Sequence, residues 1–235
     1  MTRVRRRATR ANPLAYAERR YESSCLILDV SLKTQERHGR VLSDASREGG
    51  SPILWRRLDV PGHDAATLHE MKGGAEIRGM AVFQDEGGPT ALRYTVRCDA
   101  AWQTTEGTVH GWRGARSVDL RFLRSPSGAW TLNGVACPAV AGCPDLDLNF
   151  TPSTNLLPLR RLDPAVGQVA EVRSAWLEWP AAVLKVLVQR YTRRSLTEYD
   201  YGADLPGGDK FTGVLLVEPG GWVLEYAGLW KAVGR

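Results

Sequence analysis

No apolar run in the 235-residue chain approaches the ~18–20 residues that a bilayer-crossing helix needs, so a transmembrane helix is not an organising element here. A secretory leader is not expected either. Met1-Thr2-Arg3-Val4-Arg5-Arg6-Arg7 is basic like the first region of a leader, but the only apolar stretch near it, Cys25–Leu28, is too short for a leader's apolar region. A cytoplasmic protein is the expectation. Only four cysteines occur, with no Cys-x-x-Cys and no histidine near Cys137 or Cys143, which argues against a zinc knuckle. They read as reduced, small, partly buried side chains. The chain also lacks a Gly-x-Ser-x-Gly elbow, a Gly-rich phosphate loop and His-Glu-x-x-His. Its four histidines, His38, His63, His69 and His110, stand isolated. A non-enzymatic protein without metal or cofactor is therefore expected. A Ser/Cys–His pair assembled only in space stays open, as does a hydrolytic carboxylate pair such as Asp145 with Asp99 or Glu70.

Excess charge is missing from most of the chain. Residues 1–50 hold 11 Lys/Arg against 6 Asp/Glu, whereas residues 51–235 hold 20 of each, so the net +5 belongs to the leading segment alone. A basic face on the folded domain, the footprint of nucleic-acid binding, is not supported. The Arg-rich start could touch RNA or anionic lipid; a disordered, solvated extension is the plainer reading. A short helix over Pro13–Ser23 is compatible with the residues there. The breaker cluster Arg47-Glu48-Gly49-Gly50-Ser51-Pro52 marks a boundary, which divides the chain into a basic extension (1–50) and one folded domain (51–235).

What the domain does have is alternation. Leu92–Cys98, Val118–Leu123 and Asp145–Phe150 each place apolar residues at every second position, as half-buried strands do. In the last of these Asp145, Asp147 and Asn149 fall on one side and Leu146, Leu148 and Phe150 on the other. Pro180–Arg190 is ambiguous by composition, but its β-branched residues favour a strand. A repeat organises these strands. Arg56-Arg57-Leu58-Asp59 recurs as Arg160-Arg161-Leu162-Asp163, Ala91–Val96 as Val183–Val188, Val118–Leu123 as Phe211–Leu216, and Pro126–Trp130 as Pro219–Trp222. Four pairs in one order suggest duplication, with halves at about 54–150 and 158–235 and a hairpin-sized insertion between His69 and Phe83. The expected class is mainly β: two repeats of about seven strands in one wide antiparallel sheet. A sheet that wide splits or curls, and a curled sheet has an interior to be filled by side chains, an inserted segment or a ligand.

Several stretches carry two readings. Thr151–Leu162, at the junction of the halves, is either a rigid connector or a segment that presents Asn155, Arg160 and Arg161 at a pocket mouth; Ser153, Thr154 or Asn155 could cap a short helical turn there. Asp145-Leu146-Asp147-Leu148-Asn149 opens like a calcium loop, but Phe150 and Leu156 replace its glycine and closing glutamate. It is then either a solvated strand face or a polar ligand lining. Of eight tryptophans, Trp130 and Trp222 occupy matching repeat positions and read as core anchors. Trp176 and Trp179 would lie on opposite faces of a strand, one of them a candidate binding face.

At these same residues the sequence resembles a bacterial family described as glycolipid-binding, over about Leu54–Lys231. The resemblance rests on Trp55, Tyr94–Trp102, Gly142–Leu148, Gln189–Tyr191, Tyr199–Tyr201 and Gly221–Tyr226, and above all on Thr151–Leu162. It implies a spiral β-roll, an internally duplicated sheet wound around one helix, with a distant likeness to bacterial lipoprotein carriers whose sheets shelter acyl chains. The family's acidic residue after the opening Trp has no single counterpart here, where Asp59, Asp64 and Glu70 are spread out. The expected function is that of a non-enzymatic carrier or sensor of a lipid or glycolipid. Trp102, Asp145, Asp147, Asn155, Arg160, Gln189, Tyr191 and Tyr226 are the candidate ligand-binding residues, with Arg160 the expected partner of an anionic head group. The alternatives are a fully packed roll serving protein interaction or homodimerisation, and a glycolipid hydrolase.

Overall fold

The computed structural model describes residues 51–235; the leading segment, and with it the helix expected over Pro13–Ser23, lies outside them. The first arm of the fold contains β1 (Ser51–Arg57), β2 (Gly62–Met71), β3 (Gly74–Asp85), β4 (Gly88–Asp99), β5 (Thr104–Arg113), β6 (Arg116–Arg124), β7 (Trp130–Leu132) and β8 (Val135–Ala136). After β9 (Asp145–Asp147) come a 3-10 turn at Ser153–Asn155 and one helix, α1 (Leu156–Leu162). The second arm continues with β10 (Val169–Glu178), β11 (Val183–Arg193), β12 (Glu198–Asp204), β13 (Lys210–Val217), β14 (Val223–Tyr226) and β15 (Trp230–Ala232).

All fifteen strands belong to one sheet in the order 8-7-6-5-4-3-2-1-15-14-13-12-11-10-9. Each arm is an antiparallel meander, and the arms join where β1 pairs with β15, Trp55 opposite Ala232 and Arg57 opposite Trp230. The one parallel pairing is β9 with β10. The sheet does not close into a barrel, since β8 and β9 end it on either side. Instead it rolls past closure, and β9 lies under β5. The Thr104 amide donates to the Pro144 carbonyl at 2.9 Å, and the Leu146 amide donates to the Thr104 hydroxyl at 3.0 Å. Gly107 permits this approach, because a β-carbon there would sit 2.4 Å from a Leu146 methyl. The spiral roll around one helix is thus present.

Three of the four repeat pairs fall on equivalent strands. β4 and β11 are the second strands of the six-strand runs β3–β8 and β10–β15, β6 and β13 are the fourth, and the Pro-led turns precede the fifth. The turns share their hydrogen bonds: Gly128 N–H to Ser125 and Gly221 N–H to Glu218, then Ser125 N–H to Ala129 and Glu218 N–H to Trp222. Both glycines are left-handed, at φ +84° and +96°, which suits glycine. In this frame Trp222 replaces Ala129, so the two tryptophans are offset by one residue although both are buried. The Arg pairs do not correspond. Arg56 and Arg57 end strand β1, whereas Arg160 and Arg161 lie on α1, which occupies the place in the second arm that β1 and β2 hold in the first.

The roll is filled mainly from within the chain. Leu146, Leu148, Phe150, Leu156 and Leu157 have no exposed surface, and burial of such side chains stabilises by about 1.5–3 kcal/mol each. At the seam between the arms, Trp55 and Trp222 meet edge-to-face at 5.5 Å, and the Trp55 indole donates to the Val223 carbonyl. Among the described residues no helix is long and apolar enough to cross a membrane.

Candidate functional site

The chain leaves β9 through a local device written in its sequence. Asp147 accepts the Asn149 amide at 2.9 Å, and Asn149 is left-handed at φ +61°, a conformation that Asn tolerates better than most residues. This bend sends Phe150 into the core and starts the Thr151–Leu162 segment across the interior of the roll. Thr151, rather than Ser153, Thr154 or Asn155, supplies the turn-opening hydroxyl, which accepts the Ser153 amide at 3.0 Å. The Asn155 amide donates to the Pro152 carbonyl at 3.3 Å, and its carbonyl oxygen faces the second arm. Pro158 fits because it falls in the first turn of α1, where its missing N–H is not needed.

Behind this segment lies a buried carboxylate. Asp64, on β2 opposite Trp55, accepts hydrogen bonds at one oxygen from Tyr94 (2.8 Å) and Thr151 (2.5 Å). Its other oxygen has no partner among the described residues. Burial raises its pKa to about 6, against the opposing effect of the two hydroxyls. Of the three acidic residues spread after Trp55, Asp64 is therefore the one built into the interior.

In front of the segment, the inner face of the second arm keeps a cavity of about 130 Å³. Asp147, Thr151 and Asn155 form its floor; Trp176, Tyr201, Phe211, Tyr226 and Trp230 form its walls. The rings pack edge-on, with Tyr201–Tyr226 at 5.3 Å and Phe211–Tyr226 at 5.6 Å, the arrangement that aromatic quadrupoles favour. A polar chain supports the floor: Gln189 donates to Asp147 at 2.6 Å, and the Tyr191 hydroxyl donates to Asn155 at 3.0 Å. Burial raises the Asp147 pKa despite the bonds from Asn149 and Gln189. Burial holds the phenols of Tyr191, Tyr201 and Tyr226 above their usual range, reinforced at Tyr191 and Tyr226 first by the neighbouring Tyr201 and then by Asp147, and at Tyr201 by Asp147.

The expected ligand residues divide accordingly. Asp147, Asn155 and Tyr226 line the cavity, with Gln189 and Tyr191 directly behind them. Asp145 is turned away into a two-point ion pair with Arg161, and burial still raises its pKa. Trp102 and Arg160 lie elsewhere, stacked on each other with the guanidinium 5.1 Å from the ring. Arg160 bonds Glu70 at 2.9 Å and borders a separate cleft of about 190 Å³ with Asp163, Arg193 and Glu218. An anionic head group at Arg160 would thus lie outside the aromatic cavity. Tyr201, Phe211 and Trp230 escaped the sequence reading, although Tyr201 stands directly opposite Tyr191 across the β11–β12 ladder. Of the pair expected on opposite faces of one strand, Trp176 lines the cavity, whereas Trp179 lies beyond the end of β10 and packs on Phe150 at 5.6 Å.

Among the described residues no cluster of three His, Cys, Asp or Glu side chains could hold a metal. Cys98 and Cys143 are free and buried, with burial raising the Cys98 thiol to about 11 and Cys143 in the same direction, so neither is poised as a thiolate.

Fold and cavity define a class: a single-sheet β-roll filled by its own junction segment, with a small aromatic cavity in one arm. Residues 52–232 match the family described as "Putative glycolipid-binding", and the chain belongs to that family. It is similar to a DUF1089 family protein from Pseudomonas aeruginosa, known from a crystal structure at 1.80 Å resolution. The two share 32% identity over 83% of this chain and 99% of the other, with a TM-score of 0.60. No curated protein matches the chain.

Proposed function

We propose that this protein binds the head group of a glycolipid in the second-arm cavity, without turnover, as a carrier or sensor. The carrying observation is a concave aromatic lining that converges on a few fixed polar groups, the usual make-up of a ligand site. Aromatic faces suit the C–H face of a sugar ring, while Asp147 and Asn155 suit its hydroxyls. The family description points the same way. Size limits what enters. The cavity of about 130 Å³ resembles an engineered cavity of about 150 Å³ that takes benzene, and it is well below the ~300–1,000 Å³ of typical ligand pockets. One ring fits; an acyl chain would remain outside, because α1 and the leucines around it occupy the interior that a lipid-sheltering roll would leave open. Binding without turnover is favoured because glycoside hydrolysis commonly uses two carboxyl groups, and Asp147 is the single carboxylate among the lining residues.

Native mass spectrometry of the full chain, as purified and after incubation with n-octyl glucoside, tests this reading. Expected is a one-to-one adduct that weakens in Asp147→Asn and Tyr226→Leu. Absence of any adduct, or an adduct indifferent to both variants, would remove the second-arm site. The interaction-module alternative draws on Met80, Val82 and Trp112, which are about half exposed on the first arm. Val82 and Trp112 face across Ala91 in one cross-strand row. A monomer at high concentration in sedimentation would count against that reading.

A further inference from the structure

The second-arm cavity holds a buried carboxyl group, Asp147, whose charge when ionised is met by no cationic side chain of the lining among the described residues. Asp147 receives one hydrogen bond at each oxygen, from Asn149 N–H and Gln189, and a carboxylate can accept about two at each. Among the described residues no lysine, arginine or histidine lines the cavity. The nearby cations hold other carboxylates. Arg161 is forked onto Asp145. Arg57 stacks over the Trp230 ring at 5.2 Å, with its guanidinium bound through two nitrogens to Asp59 and its Nη1 buried without a partner among the described residues. An anionic ligand would meet the Asp147 charge in a half-enclosed, poorly screened space. A neutral ligand would leave that charge without a counter-ion.

From this geometry we infer that the group entering the cavity is an organic ammonium, so that the ligand's head group is an amino sugar rather than a neutral sugar. The inference rests on the head-group reading above for its location and adds the charge of the ligand. Two features of the cavity suit such a group together. A primary ammonium offers three donors, and the floor offers the spare acceptor positions of Asp147 and of the Asn155 carbonyl oxygen, which Tyr191 already holds in place. Around them stand Trp176, Tyr201, Phe211 and Tyr226, and aromatic rings surrounding a cation add favourable electrostatic attraction. Burial of Asp147 becomes consistent once a cation occupies the site, because the pair is then compensated.

The test is calorimetric titration of the full chain with D-glucosamine, D-glucose and ethanolamine at about pH 6.5, where an aliphatic amine is protonated. Glucosamine is expected to bind at least about tenfold more tightly than glucose, and Asp147→Asn to remove that preference. Equal binding of the two sugars, or a preference untouched by Asp147→Asn, overturns the inference while the head-group reading stands. Binding of ethanolamine without either sugar supports ammonium recognition and contradicts a sugar head group. No binding of all three at millimolar concentration overturns both readings. Should Asp147→Asn fold poorly, Tyr226→Leu leaves the carboxylate intact; it is expected to weaken glucosamine more than glucose, and an equal effect on both contradicts the inference.

Discussion

The two arms follow nearly the same strand plan and differ in what their inner faces are made of. The first presents Leu68, Ile77, Leu92, Val109, Leu120 and Phe122, all buried, and it closes on β9 through Gly107. The second presents Gln189, Tyr191, Tyr201 and Tyr226, whose hydroxyl and amide groups need partners. They find them in one another and in the floor segment, which cannot then pack as densely, and a cavity remains. The first arm's inner face is largely apolar and its Asp64–Tyr94 pair is closed off by Thr151, whereas the second arm of the same plan keeps phenolic and amide groups facing an open space. One strand plan thus yields a structural half and a receptive half.

Matched truncations would break this comparison if it were wrong. Phe122→Ala in the first arm should cost about 3–5 kcal/mol, as for a fully buried aromatic. Phe211→Ala, on the half-buried wall of the cavity, should cost about 1 kcal/mol. Urea unfolding of both variants measures the difference, and equal costs would mean that the arms are packed alike.

The next effect is one of pH and sharpens the contrast at the boundary between the arms. Asp64 has a folded-state pKa raised to about 6 from 3.8, so the folded protein holds a proton that the unfolded chain releases. Its contribution is fully present below about pH 3.8 and is lost progressively as pH rises through about 6, an effect of roughly 3 kcal/mol. Asp145 and Asp147 act in the same direction. Glu76, Asp85 and Asp204, held below their usual values beside arginines, act oppositely, and mainly below that window. The melting temperature should therefore rise between about pH 7.5 and 5, and Asp64→Asn, which does not titrate, should show less of that rise. A wild-type melting temperature that falls steadily over that interval would contradict the assignment.

Much of the β architecture was legible in the sequence because alternation is a local signal. Ala91–Val96 and Val118–Leu123 read as strands and repeat as strands. The family motif at Thr151–Leu162 pointed to the segment that proves to cross the interior. Sequence alternation also put Asp147 on the polar side of β9, and Asn155, Gln189, Tyr191 and Tyr226 converge on one place. Asp145 and Arg160 could not be separated from these by pattern. Their fates depend on Arg161, which reaches Asp145 only because α1 folds back, and on Glu70, 90 residues away from Arg160. Tyr201 and Phe211 were missed because their role depends on cross-strand register, which the sequence states only once the ladder is known. The Arg56 and Arg160 pairs misled for the opposite reason, since identical tetrapeptides took a strand in one arm and a helix in the other.

The central claim, that the second arm alone is receptive, is tested most directly by amide chemical-shift mapping of the full chain with n-octyl glucoside below its micelle concentration. The account predicts shifts confined to the floor residues Asp147–Asn155 and to the inner positions of β10–β14 around Trp176, Tyr201, Phe211 and Tyr226, with β3–β6 unchanged. Shifts centred on β3–β6, or spread evenly over both arms, would contradict it.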